Sequence, residues 1–175
     1  MAAVLSIDDA GRLVSGWRAA GKRLVLANGC FDLLHVGHVR YLEGARAEGD
    51  RLVVALNSDA AARRLKGAGR PVVPLAERLE LVGALRCVTW ATWFEEDRVD
   101  RLLRLLRPAV HAKGTDYTVE SVPEHALAAS LGIRTAIVGD PKEHATSEIL
   151  ERLRSGRLRE ASGEASGGTA PESRS

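Results

Sequence analysis

The sequence predicts an α/β protein built on a parallel sheet with helices on both faces. Three observations predict it. Short apolar runs alternate with segments whose apolar residues recur at helical spacing. At least one run, Arg51 to Leu56, is continuously apolar after its first residue, as in strands buried on both faces. Polar, glycine-bearing stretches follow the runs, where open α/β sheets bind their ligands.

The elements follow in order. Ser6, Asp8 and Asp9 read as a helix start, with Ala10, Leu13, Val14 and Trp17 on one side and Gly21 as the stop. The first strand is expected at Arg23 to Ala27. A second helix with Val39, Leu42 and Ala45 in register runs to Glu48, and Gly49 ends it. After the strand Arg51 to Leu56, Asn57-Ser58-Asp59 caps a short helix through Leu65. Lys66 to Pro71 is a basic, glycine-rich loop. Leu75, Leu79, Val82 and Leu85 form the next helical stripe. Val88 to Thr92 reads as a strand, and Val99, Leu102, Leu103 and Leu106 as a helix ended before Pro108. Ala109 to Ala112 is a short strand that delivers Lys113 to Tyr117. A helix starts near Pro123 with Leu127 and Leu131 in its core. Ile133 to Val138 is the last strand, and a helix with Ile149, Leu150 and Leu153 closes the fold. One domain is therefore expected over residues 1–154, with the 1–22 helix packed on it. Residues 155–175, rich in Ser, Gly, Glu and Arg, read as a disordered tail.

Bulk properties narrow the function. The 175 residues suffice for one real core, and 45% apolar with 27% charged residues is ordinary for a soluble domain. A net charge of +2 and the absence of a basic run with interleaved aromatics argue against nucleic acid. No apolar run approaches a membrane span, and Ala2 to Leu5 is too short for a signal peptide core. Two cysteines, Cys30 and Cys87, make no disulfide framework and suit the cytoplasm. Of the four lysines, Lys22, Lys66, Lys113 and Lys142, three fall in expected loops after apolar segments.

The most informative segment is Asn28-Gly-Cys-Phe-Asp-Leu-Leu-His-Val-Gly-His38. It places two imidazoles where a buried strand hands over to a helix. Backbone N–H groups at a helix start favour an anion, and Gly37 between His35 and His38 lets a phosphate approach the backbone. A helix cap or a partial metal site are the competing readings. Metal is disfavoured because the nearest soft ligand is Cys30, no Cys-x-x-Cys exists, and His111, His125 and His144 are scattered. There is no P-loop, no Gly-x-Gly-x-x-Gly after the first strand and no kinase signature. Nucleotidyl transfer to a phosphate fits what remains. The nucleophile is already ionised at neutral pH, so such a site needs donors and positive charge around the α-phosphorus rather than a general base.

The whole string resembles the signature of the cytidylyltransferase-like nucleotidyltransferases. Over residues 24–154 it is most similar to their heptose 1-phosphate adenylyltransferase branch, here as a stand-alone domain. Further segments carry the resemblance: Asn57-Ser58-Asp59, Arg64 to Gly67 with Arg70-Pro71-Val72, Lys113-Gly114-Thr115-Asp116-Tyr117, and His144 to Leu150. The chain departs from the pattern at Ala145, where a hydroxyl is usual, and at Thr115, where glycine is usual. Asp140 to His144 stands where the cytidylyl branch carries Arg-Thr-x-Gly, which favours adenine over cytosine.

The resemblance implies a Rossmann-like fold of the His-x-Gly-His type and transfer of AMP from ATP to a sugar 1-phosphate. D-glycero-β-D-manno-heptose 1-phosphate is the expected acceptor, with ADP-heptose and pyrophosphate as products and Mg²⁺ bound with ATP. It makes His35, His38 and Lys66 the catalytic residues. Asn28, Gly29, Cys30, Phe31, Gly37, Arg78, Thr146 and Ser147 fall to the nucleotide, and Asp32, Arg70, Lys113, Gly114, Asp116 and Tyr117 to the acceptor; no residue is assigned to a metal. Read by themselves, Lys66 and Arg70 are equally a solvated loop, Lys113 and Asp116 a surface pair, and Thr146 a helix cap. Asp32 fits a turn-organising carboxylate better than a Mg²⁺ ligand, and Arg78 reaches either the triphosphate or solvent. Trp90, Trp93 and Phe94 are candidates to line a homodimer interface. The rival functions are a glycerol-3-phosphate or ethanolamine-phosphate cytidylyltransferase and a non-catalytic nucleotide-binding sensor.

Overall fold

The computed structural model describes residues 3–4, 7–140, 151 and 155. Along the chain run β1 (Ala3–Val4), α1 (Ile7–Ala19), β2 (Leu24–Gly29), α2 (Val36–Ala47), β3 (Arg51–Asn57), α3 (Asp59–Lys66), α4 (Leu75–Gly83), β4 (Trp90–Phe94), α5 (Asp100–Leu106), β5 (Val110–Gly114), α6 (His125–Ser130) and β6 (Arg134–Val138). The strands form one six-stranded sheet in the order β1-β4-β3-β2-β5-β6. Every pairing is parallel. The fold is Rossmann-like, as expected.

Alternation along the strands explains the two faces. Leu24 and Leu26 of β2 join Val53, Ala55, Trp90 and the α5 residues Leu102, Leu103 and Leu106 in one buried layer. Val25 and Ala27 point the other way and pack with Leu42 and Ala45 of α2 and Leu79 and Val82 of α4. Gly49 is required where α2 turns into β3: a Cβ there would lie 2.7 Å from Val25 Cγ2 and 2.8 Å from the Arg23 carbonyl oxygen. α1 seals the first face, with Trp17 edge-on to Trp90 at 5.6 Å.

The order of strands decides where a ligand goes. From β2 the chain winds outward through β3 to β4, then returns to lay β5 on the other side of β2. The crevice at the carboxyl ends of β2 and β5 is therefore a topological switch point.

Several boundaries differ from the sequence reading. β2 runs on through Asn28 and Gly29, because both continue the ladder with Ala55 and Leu56 of β3. β4 begins two residues later than Val88, and β5 extends to Gly114, so Lys113 lies in a strand and not in a loop. β1 was not expected; two residues carry no readable period. Trp90 and Phe94 are 1% and 2% exposed within their own chain, so they line no dimer interface; Trp93 is half-buried against the same core. The expected closing helix at Ile149 to Leu153, the tail, and the nucleotide-binding expectations Thr146 and Ser147 lie outside the described residues, with Glu151 and Ser155 the exceptions.

Candidate functional site

At the switch point, β2 hands over to α2 through Cys30 to His35. Phe31 takes a left-handed conformation (φ 48°), unusual for a bulky residue and worth about 1 kcal/mol or more of strain. The turn folds the Phe31 ring under Gly29, where a Cβ would meet it at 3.2 Å. Phe31 is 3% exposed, with its ring 5.2 Å from that of His38 and 6.2 Å from that of Tyr41. Its ring is a wall behind His38, so any contact of Phe31 with a nucleotide falls to its backbone.

His35 is the N-cap of α2 and His38 the third residue of the helix, so one helical turn stacks their rings at 3.9 Å with 30° between planes. The backbone N–H of His35 donates to His38 Nδ1 at 3.4 Å. That bond leaves the proton of a neutral His38 on Nε2. Burial, then the neighbouring His35, then Lys66 push the His38 pKa down to about 4, against the pull of Asp116. At neutral pH His38 is thus an uncharged ring with a fixed Nε2–H donor. Lys66 ends α3, exposed, and its charge acts on both His38 and Cys30. Burial raises the thiol pKa of Cys30, and its Sγ donates to Asn57 Oδ1 at 3.6 Å.

The β3 side of the crevice is a closed scaffold. Asp32 Oδ1 accepts from the backbone N–H groups of Val72 and Val73 at 2.7 and 2.9 Å, and Oδ2 pairs with Arg70 Nε at 2.9 Å. The pair is 3% and 15% exposed in its side chains. Asp32 and Arg70, expected at the acceptor, instead pin the basic loop to the motif loop. Arg78 is wholly buried. It donates to the carbonyls of Val73, Cys30 and Asn57 and to Asp59 Oδ1, the last at 2.7 Å. It does not reach solvent; it ties α4, the motif loop and the β3 exit together.

The β5 side is organised differently. His111 and Lys113 share one face of β5, two residues apart. Asn28 Oδ1 receives His111 Nε2 at 2.9 Å and Lys113 Nζ at 3.4 Å. Glu124, at the start of α6, places Oε2 3.7 Å from Lys113 Nζ, and the Tyr117 ring lies 5.0 Å from the same ammonium. Burial, with Lys113 second, lowers the His111 pKa to about 3; burial also lowers that of Lys113, opposed by Glu124. Tyr41 donates to the Ala112 carbonyl at 2.8 Å, fixing α2 against β5, and its hydroxyl pKa is raised by burial. Beyond Lys113, a Cβ on Gly114 would meet nothing within 4 Å. Asp116 and Tyr117 are exposed on the following turn, and Thr115 Oγ1 donates to the Asp140 carbonyl at 2.6 Å.

The fold therefore brings together Asn28, Gly29, His35, Gly37, His38, Lys66, Lys113 and Asp116 around one crevice. His111 and Glu124 were missed. The readable signal was a polar residue at i and i+2 inside an otherwise buried strand. Among the described residues no group of three or more His, Cys, Asp or Glu is arranged to hold a metal ion. No described helix is long and apolar enough to cross a membrane.

Comparison with known proteins agrees with this geometry. The description "Cytidylyltransferase-like" matches residues 26–161. The Bifunctional protein HldE of Geotalea uraniireducens (strain Rf4) is 46% identical over 159 residues, covering 91% of this chain and 32% of that protein. The Bifunctional protein HldE of Geobacter sulfurreducens is 44% identical over 152 residues, covering 87% and 31%. The chain spans about a third of the length of these relatives. Among solved structures, the lipopolysaccharide core biosynthesis protein from Thermoplasma volcanium GSS1 superposes with a TM-score of 0.60 at 26% identity, over 70% of this chain and 100% of that one.

Proposed function

Since the chain belongs to the cytidylyltransferase-like family and is a nucleotidyltransferase, we propose that it transfers AMP from ATP to a sugar 1-phosphate. D-glycero-β-D-manno-heptose 1-phosphate is the acceptor in this reading, and ADP-heptose and pyrophosphate are the products. The observation that carries it is the stacked His35–His38 pair with the His38 tautomer fixed by the His35 backbone. The lipopolysaccharide core biosynthesis named for the solved neighbour supports a sugar; Asp140 to His144 supports adenine.

The residues divide the work. The acceptor phosphate attacks the α-phosphorus, and pyrophosphate leaves. The attacking oxygen is ionised, so no side chain has to take its proton. His38 Nε2–H and His35 bond the non-bridging oxygens as charge builds on them. Each such donor is worth about 3 kcal/mol in the transition state, by comparison with oxyanion-hole deletions. Lys66, one helix away, neutralises the leaving phosphates. Mg²⁺ enters as part of the MgATP substrate, while Asp32 is engaged by Val72, Val73 and Arg70 and serves to hold the loop. Thr146 and Ser147 hold the phosphates in the same reading. Reaction with ATP and two reduced thiols suit the cytoplasm.

The test is pyrophosphate release with ATP, CTP, GTP and UTP against heptose 1-phosphate, mannose 1-phosphate, glycerol 3-phosphate and phosphoethanolamine. Turnover with ATP and the heptose phosphate is expected; turnover confined to CTP sinks the adenylyl assignment. His38→Ala should lower kcat by about 10²–10³-fold while ATP affinity changes only a few-fold. Equal losses in both, or a parent that binds ATP without turning it over, mark a nucleotide sensor instead.

A further inference from the structure

The β5 side of the crevice holds a cluster of polar groups that are buried without being satisfied. Lys113 is 7% exposed, yet its nearest acceptors stand at 3.4 Å (Asn28 Oδ1) and 3.7 Å (Glu124 Oε2), beyond good hydrogen-bond distance for an ammonium. Glu124 Oε2 and His111 Nδ1 are sealed from solvent and have no hydrogen-bond partner among the described residues. Asn28 Nδ2 donates to no described residue. Folded proteins leave few such groups, because a buried polar atom without a partner has given up its water and gained nothing in return. Glu124 Oε2 and His111 Nδ1, with the loosely held Lys113 and the half-buried Asn28 amide beside the open space at Gly114, describe a site shaped for something polar.

Charge selects what that is. Glu124 stands against Lys113, so the cluster is close to neutral as a unit. A phosphate dianion placed there would meet a buried carboxylate behind the ammonium. Groups without a carboxylate behind them lie elsewhere, at the α2 start, which has no acidic residue in its first turn, and at the exposed Lys66. A hydroxyl group both donates and accepts, and carries no charge to be repelled. We propose that Asn28 and Lys113, held from behind by His111 and Glu124, form a subsite that reads the hydroxyl groups of the phosphorylated acceptor and not its phosphate. Glu124 is a positioning residue in this scheme: it aims and neutralises the ammonium. The inference rests on the acceptor being a hydroxylated phosphate, which a sugar 1-phosphate and glycerol 3-phosphate both satisfy.

The experiment reads binding, so it stands apart from turnover. Calorimetry in the presence of α,β-methylene-ATP and Mg²⁺ measures heptose 1-phosphate, mannose 1-phosphate, glycerol 3-phosphate and inorganic phosphate. The parent should bind at least one hydroxylated phosphate more tightly than inorganic phosphate. Glu124→Gln should weaken that ligand at least tenfold while inorganic phosphate holds within twofold or tightens. A structural lesion would move both alike. Glu124→Asp, which keeps the charge, should recover part of the loss. Lys113→Gln, which tests the same subsite without leaving a buried ammonium unpaired, should weaken the hydroxylated ligand and spare inorganic phosphate. Equal weakening of inorganic phosphate in Lys113→Gln, an unchanged Glu124→Gln, or a parent that prefers inorganic phosphate overturns the proposal. Failure of the adenylyl reading looks different: hydroxyl-dependent binding persists, and no pyrophosphate appears from ATP.

Discussion

The two flanks of the crevice bury charge in opposite ways. On the β3 side, Arg78 spends four donors on protein acceptors, Asp32 Oδ1 accepts two backbone N–H groups, and Asp32 Oδ2 faces Arg70 Nε at 2.9 Å as an ion pair without hydrogen-bond geometry. On the β5 side, Lys113 and Glu124 are equally buried but meet at 3.7 Å, and His111 Nδ1 meets nothing among the described residues. Burial alone therefore does not separate scaffold from site. Buried charge held at contact distance marks the part that holds shape, and buried charge held apart beside open space marks the part that can take a ligand.

The sharpest way to break this contrast is Arg78→Ala. It strands the carbonyls of Cys30, Val73 and Asn57 in a dry interior and leaves a guanidinium-sized void. A loss of about 3–5 kcal/mol in urea unfolding is expected, the range for removing one partner of a buried charged network. Arg78→Lys should recover little, since an ammonium cannot span the same four acceptors. A near-neutral Arg78→Ala would show that the β3 flank is not the scaffold.

Asp32→Asn is the next largest. The amide keeps one acceptor for Val72 and Val73 but loses the charge facing Arg70. About 1.5–3 kcal/mol of stability should go. The KM for ATP should rise more than kcat falls, because the loop that follows Lys66 comes loose from the motif loop. A pure kcat effect would place Asp32 among the groups that touch the reacting atoms.

Sequence reasoning recovered these regions unequally, for a physical reason. The His35 to His38 turn is local: four residues and one helical turn fix its geometry, so the string itself carries the information. The Arg78 strut joins residues from 30 to 78, and the Asp32–Arg70 pair spans nearly forty positions; no periodicity reports such closures. Both were read as ligand contacts because arginines near a phosphate motif resemble phosphate binders until their partners are seen. His111 lay within a short apolar run and was passed over as scattered. Its i, i+2 relation to Lys113 was the available clue. The stop at Gly49 and the alternation of apolar runs with helical stripes were legible from pattern alone, and the fold class followed from that alternation.

pH tests the β5 flank. His111 and His38 are both held neutral in the fold, at pKa values near 3 and 4 against 6.5 when unfolded. Depressed folded values mean that the unfolded chain binds the extra protons. Their stabilisation is therefore complete above pH 6.5 and is lost as pH falls towards 4 and then 3. Buried His111 contributes a slope of up to about 1.4 kcal/mol per pH unit once its unfolded form is protonated. Between pH 6.5 and 5, before most carboxylates titrate, the urea midpoint of the parent should fall, and that of His111→Gln should fall less steeply. Identical slopes would mean that His111 is not held neutral by its surroundings.

The smallest effect belongs to the rim. Arg40 on α2 pairs with Asp140 at 2.5 Å, both side chains about half exposed, just where Thr115 closes onto the Asp140 carbonyl. Water and salt reach this pair freely, so its attraction is screened and both side chains give up rotamer freedom to form it. Arg40→Ala should cost less than about 1 kcal/mol, a shift of roughly 2–4 °C in Tm or less for a chain of this size. Half-molar salt should erase most of the difference. A larger, salt-insensitive loss would mean that the rim, and not the closely paired interior of the β3 flank, holds the crevice in shape. The rule that separates scaffold from site by closeness of pairing would then fail at a pair that is close but wet.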